Sequence, residues 1–263
     1  MTEPASRPRL RLFVGADLGP DAAVLLPREQ AHYLGAVMRA EPGEAVLLFN
    51  GRDGEWRAII RAIAKNGATL VAETRTRPQA PEPDLWLLAA PIKRERIDLV
   101  AEKAAELGVS ALWPVFTRRT AMSRVNTDRL AAHMVEAAEQ CERLSVPVLR
   151  EPMPLERALG DWDARRRLLF LDETGGGMPI AAALSALADE AQGSVPPLAV
   201  LVGPEGGFAP EEQRMLAALP FVRPVSMGPR ILRAETAAIA ALAVAQALLG
   251  DGRERPRGAC AKE

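Results

Sequence analysis

The sequence predicts a two-part α/β protein: a small β-rich N-terminal part followed by a larger domain built on a parallel sheet. Three observations carry this. Residues 1–76 hold short apolar runs joined by tight-turn signals, the pattern of a small barrel or meander. The stretch Arg77-Pro78-Gln79-Ala80-Pro81-Glu82-Pro83 then interrupts any sheet or helix, because proline lacks the N–H donor and fixes φ. From Leu85 onward, short fully apolar runs alternate with helical periodicity, and strands apolar on both faces belong to a parallel sheet covered by helices on both sides. The expected boundaries are 1–76 for the barrel, 77–84 for a linker, 85–250 for the α/β domain and 251–263 for a polar, disordered tail.

In chain order, Leu10–Val14 forms a first strand, and Pro27 opens a short helix through His32, Leu34 and Val37. Ala45–Phe49 is a strand stopped by Asn50-Gly51, and Trp56–Ile63 pairs with Ala68–Thr74 across Asn66-Gly67. Beyond the linker, Leu85–Ala90 is a strand. A helix over Ile97–Leu107 is apolar at Ile97, Val100, Ala101 and Ala104 and ends at Gly108. Ala111–Phe116 is a strand, and Thr127 caps a helix running to about Arg143. The strand Leu168–Leu171 precedes Gly175-Gly176-Gly177 and a helix opened by Pro179. Leu198–Val202, a helix opened by Pro210, and Phe221–Val225 continue the alternation. The last helix, from about Ala234 to Leu249, is small-chained on every side, which suits burial on several faces, including against a second copy.

Composition narrows the function. The 263 residues have 48% hydrophobic content and a net charge of -1, so any nucleic-acid contact must come from local arginine clusters. Cys141 and Cys260 have no CxxC spacing, which argues against a zinc site or a disulfide framework and suits a reducing cytosol. The N-terminal stretch has no apolar signal-peptide core, and no apolar run is long enough to span a bilayer. The expectation is a cytoplasmic protein.

Two loops concentrate the chemistry. Leu201–Phe208 and Met227–Thr236 each follow an apolar strand and precede a helix, the position at which open α/β sheets bind ligands. Gly203, Gly206 and Gly207 remove Cβ atoms where the chain turns or approaches a ligand. Glu205 among them disfavours phosphate, no Lys-Ser/Thr follows as a P-loop requires, and no GxGxxG opens the α/β part. A cofactor with a positive centre suits an acidic, glycine-lined loop better. In the second loop Arg230 and Arg233 flank Ile231-Leu232, an apolar pair suited to a flat ring, and Glu235 sits where a helix dipole favours a carboxylate.

The GPEGG loop, Met227-Gly228-Pro229-Arg230-Ile231-Leu232-Arg233-Ala234-Glu235-Thr236-Ala237 and the Ala-rich helix behind it resemble the SPOUT superfamily of RNA methyltransferases. Within it the chain is most similar to the family that methylates N3 of a uridine in 16S ribosomal RNA, the RsmE type. Lys93–Val109 resembles that family's K-A-x-E-L-G-V helix, and Glu136–Arg143 its E-A-x-E-Q-S-x-R signature. Phe13-Val14 and His32-Tyr33-Leu34 through Arg39 resemble the start of its PUA-like domain. The sequence departs at Ala209, where a capping Ser or Thr is usual, at Cys141, where Ser is common, and at Gly35-Ala36, which make the early helix less basic.

The resemblance implies a C-terminal SPOUT domain with a trefoil knot, a small PUA-like β-barrel, S-adenosyl-L-methionine held in the knot, and a homodimer whose interface completes the site. It places cofactor contacts in the loop after Leu171 and at Leu171, Val202, Gly203, Pro204, Glu205, Gly206, Gly207, Met227, Gly228, Ile231, Leu232 and Thr236. It implies RNA contacts from Arg7, Arg9, Arg11 and Arg52, and from Lys93, Arg94, Arg118, Arg119 and Arg143, with the small ribosomal subunit as partner and no metal. Uridine N3 carries a proton and is a poor nucleophile, so the reaction needs positioning, an anion stabiliser and a proton acceptor. Arg233 or Arg230 is expected in the first role, and Glu205 or Glu235 in the second. Two rivals stay open: a SPOUT enzyme acting on another RNA such as tRNA, and a non-catalytic RNA-binding protein.

Overall fold

The computed structural model describes residue 8, residues 10–190 and residues 195–254. The chain divides into two compact units, one of Met1–Pro81 with Ala138–Val146 and one of Glu82–Ala137 with Pro147–Glu263.

The first unit holds β1 (Arg11–Phe13), β2 (Ala23–Leu26), α1 (Arg28–His32, continued by a π-helical turn over Tyr33–Val37), β3 (Ala45–Phe49), β4 (Glu55–Ala64) and β5 (Gly67–Arg77). They form one sheet in the order β1-β3-β4-β5-β2. β3, β4 and β5 make the expected antiparallel meander, whereas β1 runs parallel to β3. The alternation of Leu12, Val24, Val46, Leu48, Ile60 and Leu70 puts one apolar set into a common core with Leu34. Burying each such side chain contributes roughly 1.5–3 kcal/mol. The turn after β3 is longer than the Asn50-Gly51 signal predicts, because Phe49 pairs with Glu55. The buried Asn50 side chain closes it, accepting the Arg52 and Asp53 N–H groups (2.9 and 2.9 Å) and donating to the Ala16 carbonyl (3.0 Å).

A buried ionic cluster crosses this unit. Glu55, 2% exposed, accepts from Arg11 Nε (2.8 Å), Arg77 Nη2 (2.8 Å) and the Thr76 hydroxyl (2.9 Å). Arg11 also stacks 3.7 Å over the Phe49 ring and donates to the Ala138 carbonyl (2.7 Å) and the Arg143 carbonyl. Phe13 N–H bonds Glu139 Oε1 (2.9 Å), and Arg77 bonds the Glu142 carbonyl (2.8 Å). These bonds bring residues 138–146 to the first unit, although in sequence they lie inside the second.

The second unit contains β6 (Leu85–Ala89), α2 (Arg94–Glu106), β7 (Ala111–Phe116), α3 (Thr127–Gln140, which runs on into the first unit), β8 (Val148–Leu149), β9 (Met153–Pro154), α4 (Leu155–Gly160), β10 (Arg167–Leu171), β11 (Met178–Pro179), α5 (Ile180–Glu190), β12 (Leu198–Val202), α6 (Pro210–Ala217), β13 (Val222–Ser226) and α7 (Ala234–Leu249). Every strand pair is parallel, in the order β11-β13-β10-β12-β6-β7-β8, with β9 beside β7. On one face Leu88, Trp113, Val115, Leu168, Phe170, Ala199 and Leu201 meet Leu155, Ala158 and Leu159 of α4 and Leu216 of α6. The alternate residues Leu87, Leu169 and Val200 point the other way, where α7 packs on β12, α2 and α5.

Two expectations need correction, for the cap of α3 and for the tail, while the departure at Ala209 holds. Asn126, not Thr127, caps α3, accepting the Arg129 N–H at 3.0 Å, and the helix stops at Gln140 before Glu142 turns to φ 64°. Ala209 offers no side-chain acceptor to α6, and Glu212 supplies half of a capping box by accepting the Ala209 N–H (2.8 Å). Asp251–Arg253, expected as disordered tail, form a 3-10 turn whose first N–H bonds Gln246 Oε1 (3.1 Å). The rest of that tail, 255–263, lies outside the described residues.

Candidate functional site

β13, β10 and β12 are neighbours, and the chain passes from β10 to β12 on one side before returning to β13 on the other. Strand order reverses there, so the loops leaving the three C-terminal ends diverge and leave a crevice. A cavity of about 490 Å³ opens at this point, lined by Leu171–Gly175, Val202–Glu205 with Gly207, and Val225–Ala234 with Ala237. Leu171, Val202 and Val225 are its buried apolar members, and Ile231, 92% exposed, stands at its wall.

Local packing explains the glycines. A Cβ on Gly203 would lie 2.6 Å from the Phe208 ring, and Gly207 adopts φ 66° with Glu173 Oε1 where a side chain would start. Glu173 Oε1 accepts the Phe208 N–H (3.1 Å), which ties the β10 loop to the β12 loop. Asp172 Oδ1 accepts both the N–H (2.9 Å) and the hydroxyl (2.7 Å) of Thr174 and so folds the turn behind Leu171. Asp172, Glu173 and Glu205 give this side of the cavity a negative character, and Arg230 and Arg233 face them from the β13 loop. Among the described residues neither arginine's side chain makes a hydrogen bond or ion pair; the Arg233 carbonyl accepts the Ala237 N–H at 2.8 Å.

The cavity gathers most of the residues singled out in the sequence. Leu171, Val202, Gly203, Pro204, Glu205, Gly207, Met227, Gly228, Ile231, Leu232, Arg230 and Arg233 all line it. Gly206, Thr236 and Glu235 do not. Gly206 lies against Arg119, whose Nη1 donates to its carbonyl at 3.0 Å, and Thr236 is exposed on α7. Glu235 is buried, with Oε1 3.6 Å from Arg96 Nε and Oε2 without a hydrogen-bond partner. The loop after Leu171, expected at the cofactor, contributes Asp172, Glu173 and Thr174, which sequence reasoning did not name one by one although they carry an acidic signal of the same kind as Glu205. Sequence reasoning missed Arg96, which donates to Glu205 Oε1 at 3.2 Å.

The expected RNA arginines separate into groups. Arg11 and Arg143 are buried, 7% exposed for the Arg11 side chain and 6% for Arg143, and are held by Glu55 and Ser145, so neither presents its charge to a ligand. Arg52, Lys93, Arg94, Arg118 and Arg119 are at the surface, with Arg52 paired to Asp17 (2.8 Å) and Arg118 near Glu156 (3.5 Å). Arg7 and Arg9 lie outside the described residues.

A parallel sheet with a ligand-sized cavity at its switch point, preceded by a small β unit, defines a cofactor- or nucleotide-handling α/β protein. The comparisons with known proteins make this specific. A family profile described as RNA methyltransferase domain matches residues 79–246, and one described as RNA methyltransferase PUA domain matches residues 26–73. The chain therefore belongs to the RNA methyltransferase family with an N-terminal PUA domain. It is similar to ribosomal RNA small subunit methyltransferase E of Rickettsia conorii, 30% identical over 89% of this chain and 93% of that one. The Synechocystis protein of the same name is 33% identical over 91% of this chain and 78% of its own. The crystal structure of ribosomal RNA small subunit methyltransferase E from Neisseria gonorrhoeae bound to S-adenosyl methionine superposes with a TM-score of 0.80, at 25% identity, covering 92% of this chain and 98% of that one.

Proposed function

We propose that this protein transfers a methyl group from S-adenosylmethionine to N3 of one uridine in the RNA of the small ribosomal subunit. The observation that carries the reading is the cavity at the β13-β10-β12 strand ends, which brings most of the residues of the two signature loops into one site. The relatives named above support the substrate class.

The cavity fits the cofactor chemically. Leu171, Val202, Val225 and Ile231 offer apolar surface for an adenine ring. Exposed backbone of the glycine loop offers hydrogen bonds, and the carboxylates of Asp172, Glu173 and Glu205 suit a ligand carrying a sulfonium and an ammonium. When bound, S-adenosylmethionine supplies an electrophilic methyl group. The protein must hold uridine N3 against it and manage the proton that N3 carries. Arg233 and Arg230, unpaired at the cavity wall, stabilise the negative charge that develops on O2 and O4 as N3 loses its proton. Glu205, on the wall and 39% exposed at its side chain, accepts that proton, whereas the buried Glu235 supports the site from outside it. Because N3 is engaged in any base pair, the target base enters unstacked. Arg52, Lys93, Arg94, Arg118 and Arg119 supply phosphate contacts. The trefoil threading of the C-terminal segment, a homodimer completing the cavity, and a cytoplasmic location belong to the same proposal. Among the described residues no helix is long and apolar enough to cross a membrane, and no acidic or histidine cluster could hold a metal.

Mass spectrometry of small-subunit RNA nucleosides, from cells with and without the gene, tests this. The expected result is loss of one 3-methyluridine, restored by the wild-type chain; an unchanged nucleoside profile refutes it.

A further inference from the structure

Two walls of the cavity, the β12 loop and the β13 loop with the start of α7, share no direct hydrogen bond among the described residues. A third element joins them. Arg96, in the first turn of α2, reaches Glu205 on one wall (Nη1 to Oε1, 3.2 Å) and Glu235 at the start of the other (Nε to Oε1, 3.6 Å). Arg96 is itself outside the cavity lining, so it acts on a ligand only through these carboxylates.

The two contacts are unequal. The Glu205 side chain is 39% exposed and water can replace its partner, so this end holds weakly. The Glu235 side chain is 11% exposed, its Oε2 has no hydrogen-bond partner, and Arg96 is the cation at its Oε1. A buried carboxylate without a counter-ion is strongly disfavoured, so the start of α7 is held where Arg96 can reach it. Arg233 and Ala234 immediately precede Glu235 and Ala237 follows two residues later, all three on the cavity wall. A planar guanidinium with donors in a fixed fork can serve both carboxylates at once, which a single ammonium does less well.

We propose that Arg96 is a positioning residue of the methyl-transfer site, setting the spacing between the glycine loop and the Arg233 wall by bridging Glu205 and Glu235. This rests on the cavity being the cofactor site. The bridge keeps the walls at the separation that grips the cofactor on one side and aims Arg233 on the other. Its loss lets them drift without removing any group that touches a ligand.

The test uses the full-length protein, S-adenosylmethionine calorimetry, single-turnover methyl transfer and thermal unfolding of the cofactor-free chain. R96A is expected to weaken S-adenosylmethionine at least tenfold and to slow transfer at saturating cofactor at least tenfold. R96K, which keeps one contact, recovers both to within about threefold of wild type. Adding E235Q to R96A recovers cofactor affinity at least threefold over R96A alone, because the buried charge that needed the bridge is gone. A purely structural role would leave R96K and R96A alike once corrected for folded fraction, and that result overturns the proposal. So does R96A binding and turning over within twofold of wild type. If R96A does not fold, R96K and the R96A/E235Q double variant carry the test: a folded R96K more than tenfold below wild type in both readouts, or the double variant losing cofactor as completely as an unfolded chain, overturns it. Failure of wild type to bind S-adenosylmethionine would instead overturn the cofactor-site reading, so the two failures are distinct.

Discussion

The arginines inside the N-terminal unit and those at the cavity wall are the same residue type put to opposite use. Arg11 and Arg77 share Glu55, with Arg11 also stacked on Phe49, and each donates to backbone carbonyls within residues 138–143. Their charge is consumed inside the protein. Arg230 and Arg233 have no described partner and sit at the mouth of a cavity whose other side carries Asp172, Glu173 and Glu205. A guanidinium held only by its loop keeps its full field for a ligand, whereas one enclosed by carboxylate and carbonyls stabilises only the fold. Position along the chain does not separate these uses; the partner does.

The sharpest way to break this contrast is to remove one arginine of each kind. Arg233→Ala is expected to slow methyl transfer about 10²–10³-fold while S-adenosylmethionine affinity stays within a few-fold, as for loss of one preorganised stabilising group. The thermal midpoint should not move. Single-turnover kinetics with saturating cofactor measures this, and an unchanged rate removes Arg233 from the chemistry. Glu55→Ala has the opposite signature. It leaves two enclosed guanidiniums without their carboxylate and should lower unfolding free energy by about 3–5 kcal/mol in a denaturant titration. Cofactor affinity of the folded fraction should stay within twofold.

The same carboxylate makes a pH prediction. Burial alone would raise the Glu55 carboxyl, but the Arg11 and Arg77 guanidiniums and the Thr76 hydroxyl outweigh it and hold it below its ordinary value of 4.5. On Arg11 burial prevails and lowers its affinity for the proton, yet a guanidinium stays charged throughout the physiological range, so the pair remains ionised. A folded-state value below the unfolded one means that the stabilisation is fully present above about 4.5 and is lost as pH falls through the folded value. Acid titration of stability should therefore be steeper in wild type than in Glu55→Gln below that pH; equal slopes would contradict the assignment. The smallest expected effects lie at the surface. Arg52→Ala should weaken RNA binding modestly and reduce the salt slope by about one, whereas Arg143→Ala should leave that slope unchanged and lower the thermal midpoint instead.

Much of the second unit was legible because parallel strands buried on both faces are short unbroken apolar runs. Ala111–Phe116 and Leu198–Val202 can be read directly, and α7 ends at its glycine. The cavity was legible for a related reason: glycines and charges after apolar strands have few purely structural explanations. What was not legible depended on distant partners. Arg96 lies 109 residues before Glu205, so nothing local marks it as part of the site. Arg11 and Arg143 were expected at RNA because the sequence does not show that Glu55 and Phe49 enclose the one and that Ser145 meets the other. The move of residues 138–146 to the first unit rests largely on carbonyl groups, which every residue has. β8, β9 and β11 are two residues each, too short to show a period, and β2 hides because Leu25 points outward at 75% exposure.

The cavity between the three strand-end loops is the proposed seat of the methyl donor. A crystal structure of the protein with S-adenosylhomocysteine tests it most directly. The adenosyl group is expected against Leu171, Val202 and Met227–Leu232, the amino-acid end toward the acidic loops, and Arg233 beside the sulfur. A ligand seated elsewhere, or a cavity closed by its own side chains in the complex, would contradict it.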